Sequence, residues 1–208
     1  MGMVERVREL PAEWVKLNLG CNFNPQPGWV NVDIQELPGV DVVCDLNDPW
    51  PWEDSSVDYI RAYDIVEHLR EPVRTMNEAW RVLRPGGLFE VWVPSTDGRG
   101  AFQDPTHVSF WNQNSFLYYS QRNMAGIYPG LIKCDFNVIL SDTPANAQGV
   151  IWTWAFCRVV KGEGVDPAVS DAWMQALIGG TEEARTVPGY RGNTMGTQPV
   201  LVEEPDHG

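Results

Sequence analysis

The run Val15-Lys-Leu-Asn-Leu-Gly-Cys21 is an apolar strand that enters a tight turn. Four similar pieces follow it in order. Asn31-Val-Asp-Ile34 is a second strand with an acid at its end, and Val40-Asp-Val-Val-Cys-Asp45 is a third. Val57-Asp-Tyr-Ile-Arg-Ala-Tyr-Asp64 is a fourth, leading into Ile65-Val-Glu-His-Leu69. Arg81-Val-Leu-Arg-Pro-Gly-Gly-Leu-Phe-Glu-Val-Trp-Val-Pro94 supplies a fifth after a helix end. Strands that alternate with helical or loop segments predict an α/β fold with a parallel sheet. Such sheets take ligands beyond the carboxyl ends of their strands, where three carboxylates of this series fall.

The helix over Glu71–Leu83 is well marked. Pro72 suits a first turn, and Val73, Met76, Trp80 and Leu83 share one face. Pro85-Gly86-Gly87 ends it, and Leu88 to Val93 reads as a strand. Residues 3–14 read as a short helix and Asn114–Arg122 as another. Phe136–Leu140 and Val150–Val160 read as strands around a turn at Pro144–Gly149. Asp166 caps a helix that runs to Ile178, and residues 181–208 read as an extended or disordered tail. The expected organisation is one domain over 1–162, a helix within 163–180, and the tail.

A chain of 208 residues with 43% hydrophobic content and ten tryptophans buries a sizeable core. Its net charge of −13 repels phosphate backbones, so nucleic acid is not an expected partner. Arg61, Arg70, Arg74, Arg81 and Arg84 are interleaved with acids, as on a solvated helix. Cys21, Cys44, Cys134 and Cys157 form no Cys-x-x-Cys pair and read as buried, reduced thiols of a cytosolic protein. No long apolar run predicts a membrane span.

The ordered set Leu17-Asn-Leu-Gly-Cys21, Asn31-Val-Asp33, Cys44-Asp-Leu46, Glu67-His-Leu69 and Arg81-Val-Leu-Arg-Pro-Gly-Gly87 resembles the class I S-adenosylmethionine-dependent methyltransferases. The resemblance covers roughly residues 13–160. It is strongest toward a small-molecule group that also carries a segment like Asp104-Pro-Thr-His-Val-Ser-Phe110. It implies a Rossmann-like, seven-stranded, mostly parallel sheet closed by an antiparallel hairpin, with helices on both faces. It also implies S-adenosylmethionine as cofactor and a small-molecule acceptor, with oxygen on a sugar or related metabolite as the first expectation. By the same resemblance Asn18, Gly20 and Asn22 form the first turn of the cofactor site. Asp33 and Ile34 end the second strand, Asp45 and Leu46 flank the adenine, and Tyr63 and Asp64 stand near the methionine moiety.

The chemistry of these residues agrees with those places. Gly20 lets a ligand approach the backbone, and an ionised Asp33 accepts a ribose diol as a pair. Asn22 and Asn24 stand where glycines are common in the family, and Asn tolerates left-handed backbone. Gly20 and Asp33 are 13 positions apart with Pro25, Pro27 and Gly28 between them, so no full helix joins the first two strands. A nicotinamide-dependent oxidoreductase shares the sheet type, but this chain lacks Gly-x-Gly-x-x-Gly. A relative that binds the cofactor or a partner without turnover remains the other reading.

Two histidines carry further chemistry. Asp64, Glu67 and His68 share a face if a helix starts at Asp64, and the spacing resembles the magnesium segment of ubiquinone-pathway O-methyltransferases. The same Glu-His-Leu serves metal-free enzymes as a helix start, and no metal is the expectation. His107 is the catalytic candidate, accepting a hydroxyl proton, with Asp104 orienting its other ring nitrogen. The alternative is that His107 pins the loop. The aromatics from Phe102 to Tyr119 either wall an acceptor pocket or pack as core.

Overall fold

The computed structural model describes residues 13–120 and 127–162. The expected helices at 3–14 and 166–178 lie outside them, wholly or nearly so, as does the tail. Seven strands form one sheet: β1 (Lys16–Leu19), β2 (Val30–Asp33), β3 (Val42–Val43), β4 (Val57–Tyr63), β5 (Leu83–Pro94), β6 (Phe136–Asp142) and β7 (Trp152–Val159). Their order across the sheet is β3-β2-β1-β4-β5-β7-β6. The first five are mutually parallel, while β7 runs antiparallel to both β5 and β6. The closing hairpin is thus present, with β6 at the edge and β7 inserted beside β5.

Strand alternation divides the core in two. Leu17, Leu19, Ile60, Ala62, Phe89, Val91, Ala155 and Cys157 point to one face, where they meet Met76, Ala79 and Val82 of α1 (Pro72–Val82) and Phe116 of α2 (Gln113–Leu117). Both described helices pack on this face. The other face carries Tyr59, Leu88, Trp154 and Phe156, packed against Trp14, Trp29, Trp92 and Ile139. Fully burying each such side chain stabilises the fold by roughly 1.5–3 kcal/mol.

α1 begins at Pro72, a residue suited to a first turn because its missing N–H has no intrahelical partner there. It ends at Val82, one residue short of expectation. Leu83 is already extended and pairs with Val57 of β4, so strand pairing overrides the helical spacing. Pro85-Gly86-Gly87 accordingly lies within β5, at a register shift against β4, and does not merely precede the strand. α2 starts at Gln113. Asn112 caps it, accepting from the Ser115 N–H while the Ser115 hydroxyl accepts from the Asn112 N–H.

Arg61 departs from the solvated-helix reading. It sits in β4, 6% exposed, with its guanidinium over the rings of Trp29 and Tyr63 and donating to Asn18 Oδ1 at 3.0 and 3.2 Å. Its register neighbour on β5 is Glu90, which is fully buried. Glu90 accepts from the hydroxyls of Tyr59 and Tyr63 and from the Trp154 indole N–H at 3.0 Å. One carboxylate therefore ties β4, β5 and β7 together inside a water-excluded layer. Removing it leaves three donors unpaired, so Glu90→Ala is expected to lower stability by about 3–5 kcal/mol. Urea unfolding checks this, and a loss below about 1 kcal/mol would show that the donors find other partners.

Candidate active site

β1 and β4 are central neighbours, and the chain leaving each strand meets the chain leaving the other. Gly20 follows β1 with φ +63°, a left-handed conformation that a side chain strains. A Cβ there would lie 2.8 Å from Ile65 Cγ1, so only glycine lets the first turn rest on the loop after β4. Asn22 continues the turn at φ +43°. Its backbone N–H donates to Asp33 Oδ2 at 2.8 Å, while the Gln35 N–H donates to Asp33 Oδ1 at 3.0 Å. Asp33 is thus fixed beside the turn, and each of its oxygens keeps a further lone pair. No helix joins β1 to β2, as the prolines dictate.

The remaining cofactor candidates divide by position. Ile34 is 62% exposed just past β2. β3 stops at Val43, so Asp45 is two residues beyond it. Asp45 Oδ1 accepts from the Asn47 backbone and side chain at 2.8 and 2.9 Å, which holds its pKa below the usual carboxylate value. Leu46 is buried, and its carbonyl accepts from the Trp50 indole N–H. Asn18 is not with this group. Its amide is turned to the opposite face, donating to Asn31 Oδ1 and the Asn24 carbonyl and accepting from Arg61. Tyr63 likewise sends its hydroxyl to Glu90.

Asp64 has φ +48°, which ends β4 abruptly and prevents a helix from starting there. Only a three-residue 3-10 turn, Val66–His68, follows. The expected shared face of Asp64, Glu67 and His68 does not form. Asp64 opens to solvent and accepts from the Trp152 indole N–H at 3.2 Å, whereas Glu67 turns inward and is 2% exposed. Crowding by surrounding protein pushes the Asp64 pKa up.

His107 arrives beside Glu67 from the loop after β5. Its Nδ1 lies 3.0 Å from the Ala101 carbonyl, which only accepts, so Nδ1 carries the proton and Nε2 the lone pair. That Nε2 is 3.9 Å from Glu67 Oε1, and the rings of His107 and His68 meet edge to face with centroids 4.9 Å apart. The loop is anchored here by the Val108 and Ser109 N–H groups, both of which donate to the Glu67 carbonyl. Asp104 does not orient His107. Its Oδ1 accepts from the Thr106 N–H and hydroxyl at 2.7 and 2.6 Å, closing a short turn and lowering the Asp104 pKa. The loop aromatics split: Trp111, Phe116 and Tyr119 are core, while Phe102 and Phe110 stack on each other at 5.3 Å and remain 65% and 51% exposed.

Sequence reasoning missed the pairing of Glu67 with His107, although both lie in segments marked by a histidine. Neither Glu67 carboxylate oxygen accepts a well-formed hydrogen bond, and burial, opposed by the residue's own backbone N–H and reinforced by Asp64 and Asp104, raises its pKa to about 8. The folded chain therefore holds a proton that the unfolded chain releases near its ordinary value of 4.5. Between those limits the native state binds more protons, so stability falls as pH rises. With a chelator present, the urea midpoint is expected to decline from about pH 4.5 to about pH 8. Glu67→Gln is expected to remove that part of the decline, and equal slopes in the two proteins would contradict the assignment.

Residues 17–91 match the family described as "Methyltransferase domain". A probable S-adenosylmethionine-dependent methyltransferase of Mycolicibacterium smegmatis is 38% identical over 62 residues, covering 28% of this chain and 24% of that protein. A 37.1 kDa protein carried by a transposon of Streptomyces fradiae is 36% identical over 63 residues, 30% of this chain and 18% of its own length. The chain thus matches less than a quarter of each of these relatives' lengths. Among solved structures, a methyltransferase of Burkholderia thailandensis with bound 1,6-didemethyltoxoflavin and S-adenosylhomocysteine superposes with TM-score 0.53 at 14% identity, over 76% of this chain and 78% of its own. A [4+2]-cyclase, SpnF, superposes with TM-score 0.55 at 13% identity, over 77% and 80%. At such identities these two structures speak for the fold. Residues 17–91 are thus similar to a methyltransferase domain, and the two superposed structures share the fold.

Proposed function

We propose that this chain transfers a methyl group from S-adenosylmethionine to a small-molecule acceptor, with a hydroxyl of a sugar or related metabolite as the first class to test. The observation that carries the reading is the left-handed turn at Gly20 and Asn22, held against Asp33 by the Asn22 N–H at the carboxyl end of β1. In that place Asp33 takes the ribose hydroxyls on the lone pairs its two backbone donors leave free. Ile34, Asp45 and Leu46 flank the adenine, and the loop after Tyr63 and Asp64 receives the methionine end. With no helix between β1 and β2, loop amides hold the ligand's carboxylate in place of a helix N-terminus.

Methyl transfer is an in-line displacement at the sulfonium carbon, and alignment with exclusion of water supplies most of the acceleration. His107 takes the acceptor's proton on Nε2, a role supported by the commitment of Nδ1 to the Ala101 carbonyl. The exposed pair Phe102 and Phe110 offers an apolar wall next to it. The charge of −13 disfavours a nucleic acid acceptor. All four cysteines are free, which supports a reducing compartment. Among the described residues no helix is long and apolar enough to cross a membrane.

A second reading is a binding protein without turnover. The absent helix after β1 favours it, and a cyclase on the same fold illustrates that the sheet does not dictate the chemistry. Calorimetric titration with S-adenosylhomocysteine is expected to give micromolar affinity, about −8 kcal/mol, weakened tenfold or more by Asp33→Ala. His107→Ala is expected to retain that affinity and lose about 10²–10⁴-fold in turnover on a methylated acceptor. Binding without turnover across an acceptor screen would favour the second reading, and no binding at all would overturn both.

A further inference from the structure

We propose that Glu67, His68 and His107 form a binding site for a divalent transition-metal ion, with zinc as the best match. One oxygen or nitrogen from each residue lies within 4.8 Å of the others. The carboxylate is the deciding observation. Glu67 is 2% exposed, neither of its oxygens accepts a well-formed hydrogen bond, and the neighbour it faces at 3.9 Å is His107 Nε2. A buried carboxylate left so is costly, and hydrogen bonds or a cation normally satisfy it. Both of the nearby groups present lone pairs instead of protons. His107 Nδ1 donates to the Ala101 carbonyl at 3.0 Å, and His68 Nδ1 faces the Thr106 carbonyl at 3.3 Å. Carbonyls only accept, and the Thr106 hydroxyl, 3.1 Å from His68 Nδ1, gives its proton to Asp104 Oδ1 at 2.6 Å, so each ring is held in the tautomer whose Nε2 is free to ligate. This is how metal-bound histidines are commonly oriented.

The donor set selects the ion. Two imidazoles and one carboxylate suit zinc and its neighbours in the first transition row, whereas magnesium prefers oxygen ligands and water. Asp64 and Asp104 act on Glu67 through their charge, so the surroundings are negative and favour a cation. Around a tetrahedral zinc, ligand atoms at roughly 2.0–2.1 Å from the metal are about 3.4 Å apart. The three side chains need to draw in by roughly 1 Å. Three protein ligands leave a coordination position for water or an acceptor oxygen. An ion held here would occupy the His107 lone pair and would supply, in place of the free imidazole, the acidification of a bound oxygen.

This site does not rest on the methyl-transfer reading, and its test is separate. Chelator-treated protein is titrated with zinc chloride by calorimetry, and in parallel with S-adenosylhomocysteine. The wild-type chain is expected to bind one zinc ion, with little response to magnesium. Glu67→Gln and His107→Ala are each expected to weaken zinc binding tenfold or more. Glu67→Gln keeps the shape of the buried side chain and is neutral, so it is expected to fold as well as wild type, and circular dichroism checks that it does. A cobalt-loaded sample is expected to show the visible absorption of a low-coordinate nitrogen-oxygen site, and to lose it in Glu67→Gln. No saturable zinc binding, or zinc binding unchanged by both substitutions, would overturn the site. Zinc bound without S-adenosylhomocysteine would leave the site standing while the cofactor reading fails, and the reverse pattern would do the opposite.

Discussion

The structure depends on one close approach. Gly20 passes Ile65 so tightly that a Cβ would sit 2.8 Å from that side chain, and it does so at a left-handed φ. Two requirements, space and conformation, thus fall on one residue. The approach lays the chain leaving β1 upon the chain leaving β4. On one side it brings Asn22 to Asp33 and shapes the crevice beyond the parallel strands. On the other it fixes Ile65, from which the 3-10 turn carries Glu67 inward. The turn beside Asp33 and the buried carboxylate are therefore consequences of the same contact.

The two sheet faces contribute differently to this frame. The first is an ordinary apolar layer between strands and α1. The second carries a polar network, with Glu90 accepting from Tyr59, Tyr63 and Trp154 while Arg61 lies between Trp29 and Tyr63. Arg61 and Glu90 sit opposite each other on paired strands, so a guanidinium and a carboxyl share a water-poor layer. Satisfied networks of this kind fix geometry as much as they stabilise. Here the network holds β4 against β5, the two strands whose ends deliver Asp64, Glu67 and the His107 loop.

Much of this was legible in the chain. Strand runs ending in acids, the prolines between Gly20 and Asp33, and the Pro72-led helix all act through local rules, and β1, β2, β4, α1 and the closing hairpin lie where those rules put them. Where tertiary pairing competes with local preference, the reading failed. Leu83 fits the helical stripe of α1 but is extended because Val57 pairs with it. Asp64 looks like a helix start, yet its positive φ stops the strand and leaves only a single turn. Asn18 was assigned to the cofactor turn, but alternation along β1 sends its side chain to the other face. Glu67 and His107 are far apart in sequence, and the anchoring of the Val108 and Ser109 amides on the Glu67 carbonyl, with the Ser109 hydroxyl on the Val66 carbonyl, brings them together.

The central claim is that the crevice between the ends of β1, β2 and β4 is a cofactor site built on Asp33. A crystal structure of the protein grown with S-adenosylhomocysteine tests it most directly. The account predicts the ligand in that crevice, its ribose hydroxyls within hydrogen-bond distance of the Asp33 carboxylate and its adenine beside Asp45 and Leu46. A ligand bound elsewhere, or a ribose that leaves Asp33 without contact, would contradict it.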